Sequence, residues 1–164
     1  MKKTMLVLML SLLITLPALA QQEQGDTELQ LQGSLSLGLD DEFKNAGSAN
    51  AIYGRFFTER QEIGGALRVN FNSDGDLSGA AGPFYRYNFL TGGKTVPYVG
   101  AAVAATFGEY QGGDIQLDLE GGARWFLARN MAFTLSGLYS YDVDASEFAD
   151  RLAVLFGFSY LWDK

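Results

Sequence analysis

The chain contains no cysteine and no histidine, only three prolines, and 12 lysines and arginines against 19 aspartates and glutamates. Without cysteine there is no disulfide scaffold, thiol nucleophile or thiolate metal site. Without histidine the commonest general base and transition-metal ligand are missing. A Ser-His-Asp triad or a His-ligated zinc hydrolase is therefore impossible within this chain. The net charge of −7 argues against nucleic acid, whose phosphates need concentrated Lys and Arg. The expectation is a protein that is not an enzyme, carries no cofactor and binds no nucleic acid. At 164 residues and 48% hydrophobic, it is one folded unit rather than a disordered chain.

One long apolar run is present, and it lies at the start. Lys2 and Lys3 precede an apolar stretch from Met5 to Leu16, and Pro17-Ala18-Leu19-Ala20 offers a small-x-small cleavage site. The run is shorter than the ~20 residues a spanning helix needs. Residues 1–20 therefore read as a cleaved secretory signal peptide, leaving 21–164 as the mature domain. Removing both lysines takes the net charge from −7 to −9.

Elsewhere the apolar residues recur with period two. Leu29, Leu31, Leu35, Leu37 and Leu39 alternate with Gln30, Gln32, Ser34 and Ser36. Ile63, Leu67, Val69 and Phe71 alternate with Ala66, Arg68, Asn70 and Asn72. Ile115, Leu117, Leu119, Ala123 and Trp125 oppose Asp114, Gln116, Asp118, Glu120 and Arg124. Leu152, Val154, Phe156, Phe158, Tyr160 and Trp162 form the last run. Four looser runs cover 49–59, 81–90, 96–107 and 131–141, which makes eight. A membrane-crossing β-strand needs about 9–11 residues, and about 18 are available for each strand with its connection.

The connections alternate in character. Glu59–Glu62, Thr91–Thr95 and Leu127–Asn130 are short, whereas Asp40–Ser48, Ser73–Ala80, Gly108–Gly113 and Asp142–Asp150 are mostly longer and polar. Short turns at one end and longer loops at the other predict an all-β, eight-stranded, antiparallel up-and-down transmembrane β-barrel. Closure also removes unpaired edges. The alternative is a soluble periplasmic lipocalin-like ligand carrier, with the apolar faces turned inward. Bulky aromatics on one face (Tyr85, Tyr87, Phe133, Tyr139) and small residues on the other (Gly64, Ala66, Gly100, Ala102) favour lipid outside and a narrow lumen inside. The orientation of Leu117 and Leu119 relative to Asp118 and Glu120 decides between them.

Several segments resemble one family. Gly82-Pro83-Phe84-Tyr85-Arg86-Tyr87-Asn88-Phe89 is similar to the GPFxRYxF strand of the small outer-membrane β-barrel-domain family, the OmpX/OmpW-like class of Gram-negative bacteria. Pro97-Tyr98-Val99-Gly100-Ala101 resembles its PYVGAG segment, and residues 121–132 resemble its GGxRYFLxxNxAL hairpin. Leu155 to Trp162 resembles its closing strand. The resemblance implies a location in the cell outer membrane, with lipid, lipopolysaccharide and the barrel-assembly machinery as partners. It also implies a C-terminal aromatic assembly signal, here Phe158, Tyr160 and Trp162. This chain continues past the final aromatic with Asp163-Lys164.

With the bulky faces outward, Arg68, Arg86, Asp118, Glu120 and Arg124 point into the lumen, with Asn70, Asn88 and Gln116. An eight-stranded bore is just wide enough for side chains to fill, so these residues are expected to pair as a polar network. The expected role is structural or surface-interacting, with no wide open pore. The alternative is a narrow channel or a side-opening barrel for small hydrophobic molecules. The four longer connections and their flanks carry Asp40, Asp41, Glu42, Asp74, Asp76, Glu109, Asp114, Asp142, Asp144, Glu147 and Asp150, against Lys44 alone. The short-turn end carries Arg60, Lys94 and Arg129. Such an acidic rim either stays solvated or shares divalent cations with lipid phosphates, since hard cations take oxygen ligands.

Overall fold

A computed structural model describes residues 22–36, 46–72, 75, 77–89, 93–108, 114–143 and 151–163. Eight strands follow in chain order: β1 Thr27–Ser36, β2 Ala46–Phe56, β3 Gln61–Asn72, β4 Leu77–Asn88, β5 Thr95–Gly108, β6 Ile115–Ala128, β7 Met131–Asp142 and β8 Arg151–Trp162. Each pairs antiparallel with the next. β8 returns to β1, from Thr27 opposite Trp162 to Gly33 opposite Phe156, and closes the barrel. Strands of 10 to 14 residues are long enough to cross a hydrocarbon core.

The pleat sends alternate side chains to opposite faces, and the apolar set faces out. Leu31, Leu119 and Phe158 are 56%, 58% and 53% exposed, while Gln30, Gln32 and Asp118 are buried. Leu117 and Leu119 thus point away from the bore and Asp118 into it, the arrangement of a transmembrane barrel. The soluble carrier with an apolar interior is overturned by this inversion. Aromatic rings gather on the outer wall near one end: Trp162 stacks on Tyr160 at 5.9 Å and meets Tyr53 at 6.3 Å, and Trp125 stacks on Phe133 at 6.0 Å. Such a band suits a membrane–water interface. This is the end of the β2–β3, β4–β5 and β6–β7 connections, termed below the turn end. The opposite end is the loop end.

Two connections differ from expectation. The sequence predicts a longer loop over Ser73–Ala80, but β4 begins at Leu77, so only 73–76 connect β3 to β4. Leu77 and Gly79 continue the outward parity of Ala81, and the small residues Ser78 and Ala80 hid that periodicity. At the turn end, 89–94 is longer than the expected Thr91–Thr95 because β4 stops at Asn88. The expected signal peptide, and most of the acidic loop residues, lie outside the described residues. Of the loop acids, Asp114 and Asp142 are described. Asp142 is not a rim group, since it ends β7 with its side chain buried in the lumen mouth, 3.8 Å from Arg151.

Candidate functional site: the polar lumen

Inward-facing residues arrange in tiers along the bore. At the turn end Phe56, Val96, Phe126, Ala132 and Leu161 pack into an apolar plug. Each comes from near the end of its strand, where alternation places an apolar residue inward rather than outward.

Above the plug lies the lower charged tier. The Arg124 Nη2 donates to Glu28 Oε2 at 2.6 Å and to Glu62 Oε2 at 2.9 Å. Its Nη1 donates to Asn88 Oδ1 at 3.0 Å and to Gln22 Oε1 at 3.4 Å. Arg86 donates through Nη1 to Glu62 and through Nη2 to Glu120, both at 3.1 Å. The Tyr98 hydroxyl donates to Glu120 Oε1 at 2.9 Å, and its ring lies 4.5 Å from the Arg86 guanidinium and 5.2 Å from that of Arg124. One buried aromatic ring within reach of two cations supplies the attraction of its quadrupole to both. Arg86, Arg124, Glu28 and Glu62 are essentially fully buried.

Glycines make the room. Gly54 of β2 faces the bore opposite Gly64 of β3. A Cβ on Gly54 would collide with the Glu62 carboxylate and come within 2.8 Å of Phe84. The side chains of Glu62 and Phe84 therefore occupy space that only glycine vacates.

The upper tier, toward the loop end, is built on Arg68. Its Nη2 donates to Asp118 Oδ2 at 2.8 Å, its Nε to Asn50 at 3.1 Å and its Nη1 to Ser140 at 3.1 Å. Gln116 donates to the other Asp118 oxygen at 2.6 Å. Between the tiers a cavity of about 40 Å³ is bordered by Ile52, Ala80, Phe84, Ala102, Leu138 and Leu155, with Arg68, Arg86 and Glu120 reaching into it.

The five lumen residues named from the sequence all face inward, but they do not form one network. Arg68 and Asp118 make the upper tier; Arg86, Glu120 and Arg124 belong to the lower. Sequence reasoning missed Glu28, Glu62 and Tyr98. Glu28 shares a face with Gln30 and Gln32, and Glu62 shares one with Gly64 and Arg68, so parity marks both. Glu62 was assigned to the Glu59–Glu62 turn, one step outside its strand. Tyr98 shares a face with Gly100 and Ala102. Phe158, Tyr160 and Trp162 lie on the outer face of β8, each at least a third exposed.

No protein-family model and no curated protein matches the sequence. Among solved structures, the N-terminal β-barrel domain of Pseudomonas aeruginosa OprF matches with a TM-score of 0.65 at 19% identity, over 86% of this chain and 100% of that domain. OprG from Pseudomonas aeruginosa matches at 0.59 and 10% identity, over 90% and 100%. Neisserial surface protein A matches at 0.56 and 15% identity, over 85% and 96%. At these identities the likeness is one of fold: a small eight-stranded barrel of the outer-membrane type.

Proposed function

We propose that the protein is a small integral barrel of the bacterial outer membrane with a sealed bore and a structural or surface-interaction role. Its terminal strand presents Phe158, Tyr160 and Trp162 to the barrel-assembly machinery, and its outer wall meets lipid and lipopolysaccharide. The observation that carries this reading is the double closure of the lumen, by the plug of Phe56, Val96 and Phe126 and by the Arg86–Arg124 tier above it. The role is not catalytic. The lumen serines act as small polar fillers: Ser136 and Ser140 accept from Gln32 and Arg68, and Ser34 pairs with Ser48 at 2.9 Å. Purified barrel in planar bilayers is expected to give no steady conductance; large, reproducible single-channel steps would refute the sealed bore.

A second reading, a side-opening barrel for small hydrophobic molecules, draws on one seam. β4 and β5 pair over Ser78–Ala81 and Phe84–Asn88 but not at Gly82 and Pro83. Proline has no N–H to give a ladder. The interrupted seam borders the cavity between the tiers, through Gly82 and Ala104. Copurification of an apolar ligand that is lost in Ala102→Phe, which fills that cavity, would favour this reading; a ligand-free barrel would remove it.

A further inference from the structure

The lower tier holds more carboxyl groups than cations. Glu28, Glu62 and Glu120 meet two guanidiniums, Arg86 and Arg124. The walls that complete this height add no further charge among the described residues: β2 turns Gly54 and Phe56 inward, β7 Thr134 and β8 Ser159. From β5 comes the Tyr98 phenol, which donates to Glu120. Asp26, two residues before Glu28, engages the Glu23 amide and Asp163 instead. Three ionised carboxylates would leave one negative charge uncompensated in a buried tier, which is costly.

Two of the three acids meet each other. Glu28 Oε2 lies 2.6 Å from the Arg124 Nη2 and 3.7 Å from the Arg86 Nη1, and Glu62 Oε2 lies 2.9 and 3.1 Å from the same two nitrogens. Held by these shared nitrogens, the two carboxyl groups come within hydrogen-bond distance of one another. An ionised carboxylate only accepts, so a hydrogen bond between two of them requires a proton on one. No guanidinium, amide or phenol reaches Glu28 Oε1 or Glu62 Oε1, whereas both oxygens of Glu120 take donors, from Arg86, Tyr98 and Gln32. Ser159 also stands against the Glu28 carboxyl, but its hydroxyl brings no charge. Glu28 has the weaker ionic support. It accepts from Arg124 alone, since 3.7 Å to Arg86 is too long for a hydrogen bond, while Glu62 accepts from both guanidiniums.

We propose that Glu28 and Glu62 form a proton-binding pair, in which Glu28 carries the proton and donates it in a hydrogen bond to Glu62. Two ionised carboxylates, Glu62 and Glu120, then balance two guanidiniums, and the tier is neutral. Release of the proton to solvent at alkaline pH sets a second carboxylate against Glu62 and leaves one negative charge unbalanced. The proton is thus a fastening of the barrel that alkaline conditions remove. This rests on the burial of the tier and not on the absence of conductance, so it and the sealed bore are tested apart.

The test uses the refolded full-length barrel in lipid bilayers, with isotope-labelled glutamate to separate its infrared bands from those of Asp26. Wild type is expected to show the carbonyl stretch of one protonated glutamic acid at neutral pH, lost on titration to alkaline pH. Glu28→Gln should lack that band at neutral pH, and Asp26→Asn should keep it. Glutamine matches a protonated glutamic acid in size and charge and can donate to Glu62, so Glu28→Gln should unfold in urea close to wild type at neutral pH. The folded wild type binds one proton more than its unfolded chain, so its stability falls as pH rises. Each pH unit should lower its folding equilibrium constant about tenfold relative to Glu28→Gln, until the folded barrel also releases the proton. If Glu28→Gln fails to fold, the wild-type spectrum decides alone. A wild type without the band at neutral pH would overturn the pair, as would a band that persists in Glu28→Gln or equal pH slopes for the two barrels.

Discussion

At the turn end of the lumen, two guanidiniums and three carboxylates are held between an apolar plug and a cavity, with Arg86, Arg124, Glu28 and Glu62 at 0–1% side-chain exposure. At the loop end a single pair, Arg68 and Asp118, retains 15% and 8%. The same chemistry is thus placed in two dielectric settings. Nearer the lumen mouth, partial exposure lets water replace part of what a lost partner supplied, so the pair contributes less. In the buried tier an unpaired group has little water to fall back on, so each depends on the presence of the others. The comparison implies that the lower tier fixes the shape of the barrel, whereas the upper one trims it.

The largest effect is expected at Arg124. Arg124→Leu leaves Glu28 and Glu62, which both accept from its Nη2, facing Arg86 alone. Breaking a buried ion pair from one side costs about 3–5 kcal/mol. Urea titration of the barrel in lipid vesicles should show that loss, with failure to fold at the severe end. A loss below about 1 kcal/mol would mean the tier is hydrated and the two ends are alike.

Next comes the plug. Phe126 is fully buried, and Phe126→Ala should cost about 3 kcal/mol through lost packing and the cavity left behind. The variant should remain non-conducting in planar bilayers, because the Arg86–Glu62–Arg124 tier still crosses the bore. Steady conductance in Phe126→Ala would make the plug, not the ions, the seal.

At the loop end, Arg68→Ala should cost less than Arg124→Leu, because the Asp118 it leaves keeps its bond from Gln116 and some access to water. A double-mutant cycle with Asp118→Ala measures the coupling between the two residues directly. Equal costs for Arg68→Ala and Arg124→Leu would erase the contrast between the tiers.

How much of this was legible without coordinates follows from what alternation encodes. Period two assigns each residue to a face, and that sufficed for Leu117, Asp118, Leu119 and Glu120. It does not say at what height along the bore a side chain ends. The sequence therefore places Arg68, Arg86 and Arg124 in one lumen without showing that Arg68 belongs to a separate tier. Height depends on strand stagger, which is fixed by cross-strand register such as Gly54 opposite Gly64. Strand ends were the other weak point. Glu62 and Asp142 looked like turn residues because acids flank turns, yet each is the inward member of a strand end. The plug residue Phe56 shows the same limit, since an aromatic near a strand terminus reads as a lipid-facing girdle until the parity is followed through.

The smallest prediction concerns a carboxylate outside both tiers, just before β1. Asp26 is only 6% exposed and accepts a hydrogen bond from the Glu23 amide at 2.8 Å. Burial pushes its carboxyl above the usual value of 3.8, Asp163 and Glu23 add repulsion, and the Glu23 amide opposes the shift only in part. The folded state therefore holds this proton more tightly than the unfolded chain does. By linkage, the contribution to stability is fully present below about 3.8, the unfolded value, and is lost as pH rises through the higher folded value. Asp26→Asn keeps an oxygen for the Glu23 amide and removes the charge. Its midpoint should match wild type at the acid end and exceed it slightly at pH 7. Identical differences between the two barrels at both pH values would show that Asp26 is ordinary, leaving incomplete compensation as a property of the lower tier alone.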